Sequence, residues 1–397
     1  MILQKNLGIA LDIGTTTIKG RLIDLETDEG LSYFSSLNEQ LTLGHDVISR
    51  IKFALEKPKG LEKLNKRIIS SINFVVENLL SSAKKERDDI SLIVCVGNAA
   101  LYHFTLSLSP ENLVKPPYEP AYKDFVSKKA KDLGIKVSGR CELNFLPNIG
   151  GFVGSDAIAV ILASGLDSSE DPILAVDIGT NGEIIVGSKE RILVTSTAAG
   201  PAFEGWHINC GMRPVEGAIE SVNDKNGDLK LKIIGDAEPK GISGSGLIDM
   251  VGILLKRGTI DKSGTLERDF VICDRPKKVF LSQSDVRQVQ LAKAAFKAGI
   301  RYLTRLSKKK ITRLFITGNF GGGIDKENAE TVGIIPENID ARNVAVLEDG
   351  ALRGAEIFLG DRETVMPRID GILEKTEHIS LGQNSDFERE FIESMKF

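Results

Sequence analysis

The sequence predicts an α/β protein with two related halves, and three observations carry that prediction. Strand-like apolar runs alternate with helix-like segments along the 397 residues. The segment 11–16, Leu-Asp-Ile-Gly-Thr-Thr, recurs nearly unchanged at 176–181 as Val-Asp-Ile-Gly-Thr-Asn. A late apolar run, Leu314 to Thr317, leads directly into a cluster of glycines. At about 150 residues per domain, the length also suits two or three domains.

Each copy of the repeat is predicted to form a β-hairpin. Apolar runs end on the first part of each copy, at Leu7 to Ile13 and at Ile173 to Ile178. A second strand-like run follows each copy, at Ile18 to Leu25 and at Glu183 to Val186. The intervening glycine is typical of a tight turn. The copies lie too far apart for a solenoid, so they indicate two similar halves.

Helices are predicted between these hairpins and after them. Apolar residues at three- and four-residue spacing indicate helices at Leu61 to Ala83 and at Ser284 to Leu306. A shorter helix is predicted from Asp156 to Gly165, where glycine is a common stop. A glycine-rich turn at Ser243 leads into another helix ending at Lys256. The tail from residue 362 is polar and mixed, with a helix-like end at 386–395.

Composition excludes several classes of protein. The formal charge is −4, from 51 Lys and Arg against 55 Asp and Glu, so no nucleic-acid partner is expected. The longest apolar run, Ala157 to Ala163, is too short to cross a membrane, and the N-terminus does not resemble a signal peptide. The 4 cysteines lie far apart, so neither a zinc ribbon nor an iron–sulfur cluster is expected in this chain. A cytoplasmic protein with reduced thiols is the expectation.

The first hairpin turn carries groups that suit a phosphate. Gly14 allows a close backbone approach, and the hydroxyls of Thr15, Thr16 and Thr17 can donate to phosphate oxygens together with the backbone N–H groups. Asp12 would repel a phosphate at this distance, so a Mg²⁺ ion between them is implied, bound partly through water. The structural alternative for a single copy is an ordinary hairpin turn.

The second copy favours the phosphate interpretation. Gly179, Thr180 and Asn181 supply a matching turn from the other half. Two facing turns could hold a polyphosphate from both sides, with Asp12 and Asp177 flanking the metal.

Three further segments are candidates for nucleotide contact. The glycine cluster after the late strand could pack against a base and ribose, or be only a flexible loop; its candidate residues are Gly318, Asn319, Gly321 and Gly322. Glu204 could reach the metal or the ribose, and a surface carboxylate is the alternative. Ser243 and Gly244 precede a helix, whose N-terminus suits anions or nucleotide hydroxyls, although a simple helix cap is the alternative.

These motifs together resemble the actin, hexokinase and heat-shock-chaperone superfamily. The two turns correspond to its two phosphate motifs, and the strand with glycines corresponds to its adenosine motif. Segments 94–98 and 349–355 are similar to its two connecting motifs. The resemblance implies two ribonuclease-H-like α/β domains, an actin-like ATPase fold, facing across a nucleotide cleft that binds ATP and Mg²⁺. The expected domains are residues 1–168 with 365–397, and residues 169–364.

A narrower resemblance is to the ATP-dependent reductive activators of corrinoid proteins. It rests on segments 46–51, 150–156, 196–205 (which includes Gly200) and 241–249, and on the tail at 387–397. The resemblance implies that ATP hydrolysis drives reductive activation of a corrinoid protein or corrinoid methyltransferase, and that the chain forms a homodimer. Those activators usually carry an iron–sulfur domain, which this sequence lacks. A separate iron–sulfur electron donor is therefore expected.

The same resemblance implies a catalytic role for Asp156. In actin, the residue that positions the attacking water begins the equivalent helix. Asp156 is therefore expected to orient water or act as a general base, with Asp12 and Asp177 supporting catalysis through the metal. The alternative is a helix N-cap. Two other functions stay open: a small-molecule kinase with Asp156 as base, and an ATP-gated binding module without turnover.

Overall fold

The computed structural model of the chain describes residues 6–318, 323–382 and 384–397. The predicted contacts Asn319, Gly321 and Gly322 lie outside these ranges. The chain forms two compact units. Unit 1 runs up to Asp167 and includes Gly350–His378, and unit 2 comprises Ser168–Asp349 and Ile379–Phe397. The predicted mixed α/β class is confirmed.

Strands and helices alternate through most of the described chain. The strands are β1 Leu7–Ile13, β2 Thr17–Asp24, β3 Glu29–Leu37, β4 Ile90–Gly97, β5 Val126–Lys129, β6 Glu142–Phe145, β7 Ile173–Ile178, β8 Gly182–Gly187, β9 Ile192–Thr197, β10 Ala218–Lys225, β11 Asp228–Ile233, β12 Gly241–Ile242, β13 Phe270–Cys273, β14 Val279–Leu281, β15 Arg313–Gly318, β16 Val344–Val346 and β17 Thr376–His378. The helices are α1 Val47–Glu56, α2 Gly60–Ala83, α3 Ala99–Thr105, α4 Ser155–Ser164, α5 Gly244–Lys256, α6 Gln283–Ser307, α7 Lys326–Val332, α8 Gly350–Gly360, α9 Arg362–Lys375 and α10 Ser385–Glu393.

Unit 1 is built on a mixed sheet with the strand order β3-β2-β1-β4-β6-β5. β1 pairs antiparallel with β2 and parallel with β4. Its apolar residues are buried, which explains the nearly continuous apolar run in the sequence. The amphipathic helix α2 covers the sheet with a face that includes Leu64, Ile68 and Ile72.

Unit 2 repeats the central arrangement. Its strands are ordered β16-β15-β7-β8-β9, with β7 antiparallel to β8 and parallel to β15. Helix α6 packs against β8 and β9, and a ring edge of Phe296 fills the space where Gly182 has no side chain. A smaller sheet, β11-β10-β12, and the β13-β14 pair complete the unit.

The second boundary between the units differs from the expected residue 365. The chain returns to unit 1 at Gly350, because α8 packs on α4 so closely that a Cβ on Gly354 would lie 2.1 Å from the Ala159 carbonyl oxygen. The final segment belongs to unit 2 rather than to unit 1. There the Asn384 amide donates to the Tyr302 hydroxyl (2.6 Å), and Arg305 pairs with Glu390 (2.9 Å).

Helix α9 lies in the tail that the sequence analysis treats only as polar and mixed. Its position in unit 1 is fixed by Arg368, which forms two hydrogen bonds to the nearly buried carboxylate of Asp167, one of them 2.7 Å long. Within the described ranges, no helix combines the length and apolar character needed to cross a bilayer.

The contact between α8 and α4 leads to a stability prediction. Gly354→Ala should lower the free energy of unfolding by about 1–3 kcal/mol, because the added methyl group overpacks the helix contact. Gly371→Ala in α9 is the matched control: nothing lies within 4 Å of its Cβ position, so helix propensity should raise stability by roughly 0.5–1 kcal/mol. Urea unfolding followed by circular dichroism measures both changes. Equal midpoints for the two variants would contradict the proposed close contact.

Candidate functional site

The turn of unit 1 has a shape that requires glycine. The Gly14 N–H donates to the Thr17 carbonyl at 3.0 Å, which closes the hairpin. A Cβ on Gly14 would lie 2.6 Å from that same oxygen, closer than a side-chain carbon can approach. The predicted hairpin is therefore confirmed, and any larger residue would distort its turn.

The carbonyl groups of this turn accept hydrogen bonds from Asn38 and Arg50. Asn38 donates its side-chain amide to Gly14 O (3.0 Å) and its backbone N–H to Thr16 O (2.9 Å). Arg50 Nη2 donates to Thr15 O at 2.7 Å. In a trans peptide the N–H points opposite to the C=O. The N–H group that follows each of these carbonyls therefore points away from the residue that holds that carbonyl.

Arg50 is a functional candidate that the sequence analysis missed. Its side chain is fully buried, and it also donates to Gly44 O (2.8 Å) and to Gln40 Oε1 (3.2 Å). Burial lowers the pKa of Arg50 to about 10, so the group stays protonated at neutral pH. The sequence did contain one indication, because Arg50 falls on the buried stripe of α1 between Val47 and Ile51.

Two further side chains approach the turn of unit 1. The Asn98 amide donates to the Thr15 hydroxyl at 3.1 Å. Lys19 lies directly opposite Asp12 in the β1–β2 register and is buried. Because cross-strand partners share one face of a sheet, Lys19 brings a cation to the face that carries Asp12. Lys19 is not among the site residues predicted from the sequence.

Asp156 lies at the end of the sheet where the turn of unit 1 is found. Helix α4 begins against the end of β4: a Cβ on Gly154 would be 2.1 Å from Gly97 O, and the Ser155 hydroxyl bonds Gly97 (3.1 Å). Gly97 is paired with Ile13, the residue before the turn. The N-cap of α4 is Gly154 rather than Asp156, whose carboxylate accepts from the Ala157 N–H at 2.9 Å. Asp156 is therefore not the N-cap residue of α4, but its carboxylate does accept from an N–H of the first turn.

The turn of unit 2 brings together several predicted residues. The Thr180 hydroxyl donates to the Glu204 carboxylate, and Gly200 N–H donates to Thr180 O at 3.0 Å. A Cβ on Gly179 would lie 3.2 Å from Asn181 O and 3.9 Å from Glu204 Oε1. Gly200 has a φ of +76° and nothing within 4 Å of its Cβ position, so the backbone there is open on that side.

Strand β15 ends beside the turn of unit 2. Gly318 is paired with Ile178 across β15 and β7. Its φ is +133°, and a Cβ would lie 2.3 Å from the Ile178 carbonyl oxygen, so only glycine fits. The start of the predicted adenosine segment therefore adjoins the predicted phosphate turn within unit 2.

Ser243 and Gly244 have packing contacts of their own. The Ser243 hydroxyl caps α5 and donates to Ile219 O at 3.0 Å. A Cβ on Gly244 would lie 1.9 Å from Phe203 O, so this glycine supports the short turn that carries Glu204. Both residues are buried, and their contact with a nucleotide stays a prediction.

The two hairpins differ in charge at one equivalent position. Asp12 faces Lys19 in unit 1, whereas Asp177 faces Glu183 in unit 2. Glu183 is buried and accepts from the Ser196 hydroxyl at 3.1 Å. At this position the first hairpin therefore pairs a carboxylate with a cation, whereas the second carries two carboxylates. Among the residues that the structure describes, no group of 3 or more His, Cys, Asp or Glu side chains could hold a metal. Mg²⁺ bound to a polyphosphate needs only one or two carboxylates.

Comparison with known families gives a match along both units. Residues 171–397 match the model described as the C-terminal domain of RACo, the ASKHA domain, and residues 7–169 match the RACo middle region. The chain belongs to the RACo family. The predicted resemblance to ASKHA proteins, the actin-like ATPases, and to the corrinoid activators is thereby confirmed.

Individual relatives align over most of the chain. The corrinoid activation enzyme RamQ of Eubacterium limosum is 34% identical over 424 residues, which covers 98% of this chain and 70% of RamQ. A Co(II) methylated-amine-specific corrinoid protein reductase of Methanosarcina barkeri is 29% identical over 364 residues, covering 83% and 66% of the two chains. The solved structure of a reductive activator for a corrinoid, iron–sulfur protein superposes with a TM-score of 0.94 at 32% identity, over 100% of this chain and 67% of that one.

A buried carboxyl group in unit 2 leads to a pH prediction. Asp249 of α5 accepts from Val222 N–H (3.0 Å) and from the Asn328 amide (3.3 Å), and burial raises its pKa to about 6. The folded state therefore holds this proton more tightly than the unfolded state, so the contribution of Asp249 to stability is lost as pH rises from 4 through 6. Asp249→Asn should gain stability relative to wild type by up to roughly 3 kcal/mol between pH 4 and pH 7.

Urea unfolding at several pH values measures this difference. Asp228→Asn on the exposed end of β11 is the matched control. If both variants showed the same dependence on pH relative to wild type, the assignment to Asp249 would be contradicted.

Proposed function

We propose that this chain is an ATP-dependent activator that promotes the one-electron reduction of Co(II) in a corrinoid protein or corrinoid methyltransferase. The observation that carries the proposal is the 34% identity to a corrinoid activation enzyme over 98% of the chain. The electron would come from a separate iron–sulfur protein. The proposal places the chain in the cytoplasm, as a homodimer.

The residues of both hairpins fit Mg²⁺-ATP. In unit 1 the glycine turn presents N–H groups on one side while Arg50 and Lys19 supply positive charge. In unit 2 the carboxylate of Asp177 is an oxygen ligand of the kind that Mg²⁺ prefers, and a magnesium ion bound to a polyphosphate needs only one or two such ligands. The bound nucleotide would supply the free energy for the reaction. The nucleotide contacts would be Gly14, Thr15, Thr16, Thr17, Gly179, Thr180, Asn181, Gly200, Glu204, Ser243, Gly244 and Gly318.

Asp156 would act on water rather than on the nucleotide itself. Its carboxylate lies in the first turn of α4, whose start is fixed against Gly97, so its position is set by rigid elements. A carboxylate so placed can orient a water molecule or accept its proton. Asp12 and Asp177 would hold the metal, partly through water.

ATP is required in this proposal because Co(II) in a corrinoid is hard to reduce. An activator can make the electron transfer feasible by changing the ligation of the cobalt. The free energy for that change would come from nucleotide binding and hydrolysis. It would reach the cobalt through contact with the corrinoid partner protein.

Nucleotide binding is the first test. Asp12→Asn and Asp177→Asn should each weaken Mg²⁺-ATP binding by about tenfold or more, because each removes a charge from the metal site. Isothermal titration calorimetry with and without EDTA measures this, and the difference from wild type should shrink when EDTA removes the metal. Asp228→Asn is the control. Wild-type protein that shows no heat with ATP would overturn the proposed nucleotide site.

Turnover and corrinoid reduction form the second test. Purified chain, a low-potential reductant such as titanium(III) and a cobalamin-dependent methyltransferase should give cob(I)alamin absorbance that depends on ATP. Asp156→Asn should lower the rate of ATP hydrolysis by about 100-fold or more while changing the Kd for ATP less than about threefold. Asp132→Asn, on the exposed surface of unit 1, is the control. ATP consumption that requires a small hydroxyl substrate and yields its phosphate ester would instead identify a kinase.

A further inference from the structure

Arg50 is a buried cation whose only described partners are neutral. Its three hydrogen bonds go to Thr15 O, Gly44 O and Gln40 Oε1, at 2.7, 2.8 and 3.2 Å. Its side chain is fully buried, and among the residues that the structure describes no carboxylate forms an ion pair with it. Asp46, whose charge acts on Arg50 electrostatically, is exposed at the start of α1.

Such a charge is unfavourable unless something compensates for it. Burying an ionised group without an opposite charge costs several kcal/mol, and hydrogen bonds to neutral oxygens recover only part of that cost. A simple packing role would be served better by an apolar side chain at this position of α1, between Val47 and Ile51. Among the described residues no carboxylate lies at ion-pair distance from Arg50, so its charge can act on an anion bound at the turn.

The bond to Thr15 O points to where that anion binds. A cation at a carbonyl oxygen polarises the whole peptide group, which strengthens the N–H on its far side as a donor. Asn38 holds the neighbouring carbonyls of Gly14 and Thr16 in the same way. Arg50 thus lies on the carbonyl side of the Thr15–Thr16 peptide, and the N–H of Thr16 points away from it.

The residues that contact the Arg50 side chain are themselves held in place. Gln40, which accepts from the guanidinium, is fully buried and donates its amide to Leu64 O of α2 at 2.9 Å. Gly44 lets the stem of Arg50 pack closely, since a Cβ there would lie 2.9 Å from Arg50 Cγ. The guanidinium is therefore fixed in place before any ligand arrives.

We propose that Arg50 is a positioning residue that both shapes the turn of unit 1 and selects its ligand by charge. Its positive charge favours a polyanionic ligand with several phosphates over one with a single phosphate. This inference rests on the proposed nucleotide function of the same site. It adds a specificity determinant that touches no phosphate and acts through the peptide group of Thr15.

The experiment compares three nucleotides on four proteins and one control variant. Calorimetry gives the Kd of ATP, ADP and AMP, with Mg²⁺ and at two ionic strengths, for wild type, Arg50→Met, Arg50→Gln and Arg50→Lys. Arg67→Met is the control for loss of one positive charge, because Arg67 lies on the exposed face of α2 and pairs with Glu39 at 3.3 Å. Thermal unfolding without nucleotide checks that each protein folds.

We expect the neutral variants to lose about tenfold or more in affinity for ATP and less than about threefold for AMP, with the loss reduced at high salt. Arg50→Lys should keep the preference for ATP over AMP within about threefold, since it keeps the charge. If Arg50→Met does not fold, Arg50→Gln decides, because it keeps a donor for Thr15 O without the charge. Equal losses for ATP and AMP in the neutral variants, or loss of the preference in Arg50→Lys, would overturn the inference. Wild-type protein that binds none of the three nucleotides would refute the proposed function instead.

Discussion

The shape of the glycine turn in unit 1 depends on one constraint, which is that its carbonyl oxygens accept hydrogen bonds from Asn38 and Arg50. Asn38 and Arg50 take the oxygens of three consecutive residues, so the peptide planes of the turn have little freedom to rotate. Gly14 is required because a side chain would strike Thr17 O. The direction of the N–H groups is therefore built into the folded chain, which is the preorganisation that an anion site needs.

The two hairpins share one backbone arrangement but differ in the charge of the residue that faces the aspartate. Both place an aspartate one residue before the end of their first strand, at Asp12 and Asp177. The residue opposite is Lys19 in unit 1 and Glu183 in unit 2. The backbone geometry is thus retained while the charge on the facing strand is reversed. Two identical hairpins would present the same charges, whereas this pair presents a cation beside Asp12 and a second carboxylate beside Asp177.

Most of the fold could be predicted from local sequence, and the exceptions have physical causes. The predicted bounds of β1 and β7 agree with the structure because both strands are buried on both faces and read as continuous apolar runs. Helix α9 could not be predicted in the same way. Its segment contains Pro367 and few apolar residues, and its position depends on the ion pair of Arg368 with Asp167, far away in sequence.

The same distinction applies to the site residues. Those in local motifs could be predicted, whereas those whose role depends on a distant partner could not. Gly14, Gly179 and Gly318 could be predicted because a glycine in a turn or at a strand end has a local signature. Arg50 and Lys19 could not, since the role of each comes from a partner that spacing does not reveal: Arg50 acts on a carbonyl 35 residues away, and Lys19 acts through strand register. A charged residue on the buried stripe of an amphipathic helix is the one pattern that would have identified Arg50. The hydrophobic effect does not explain why a charged side chain is buried, so its position must be explained by its hydrogen-bond partners.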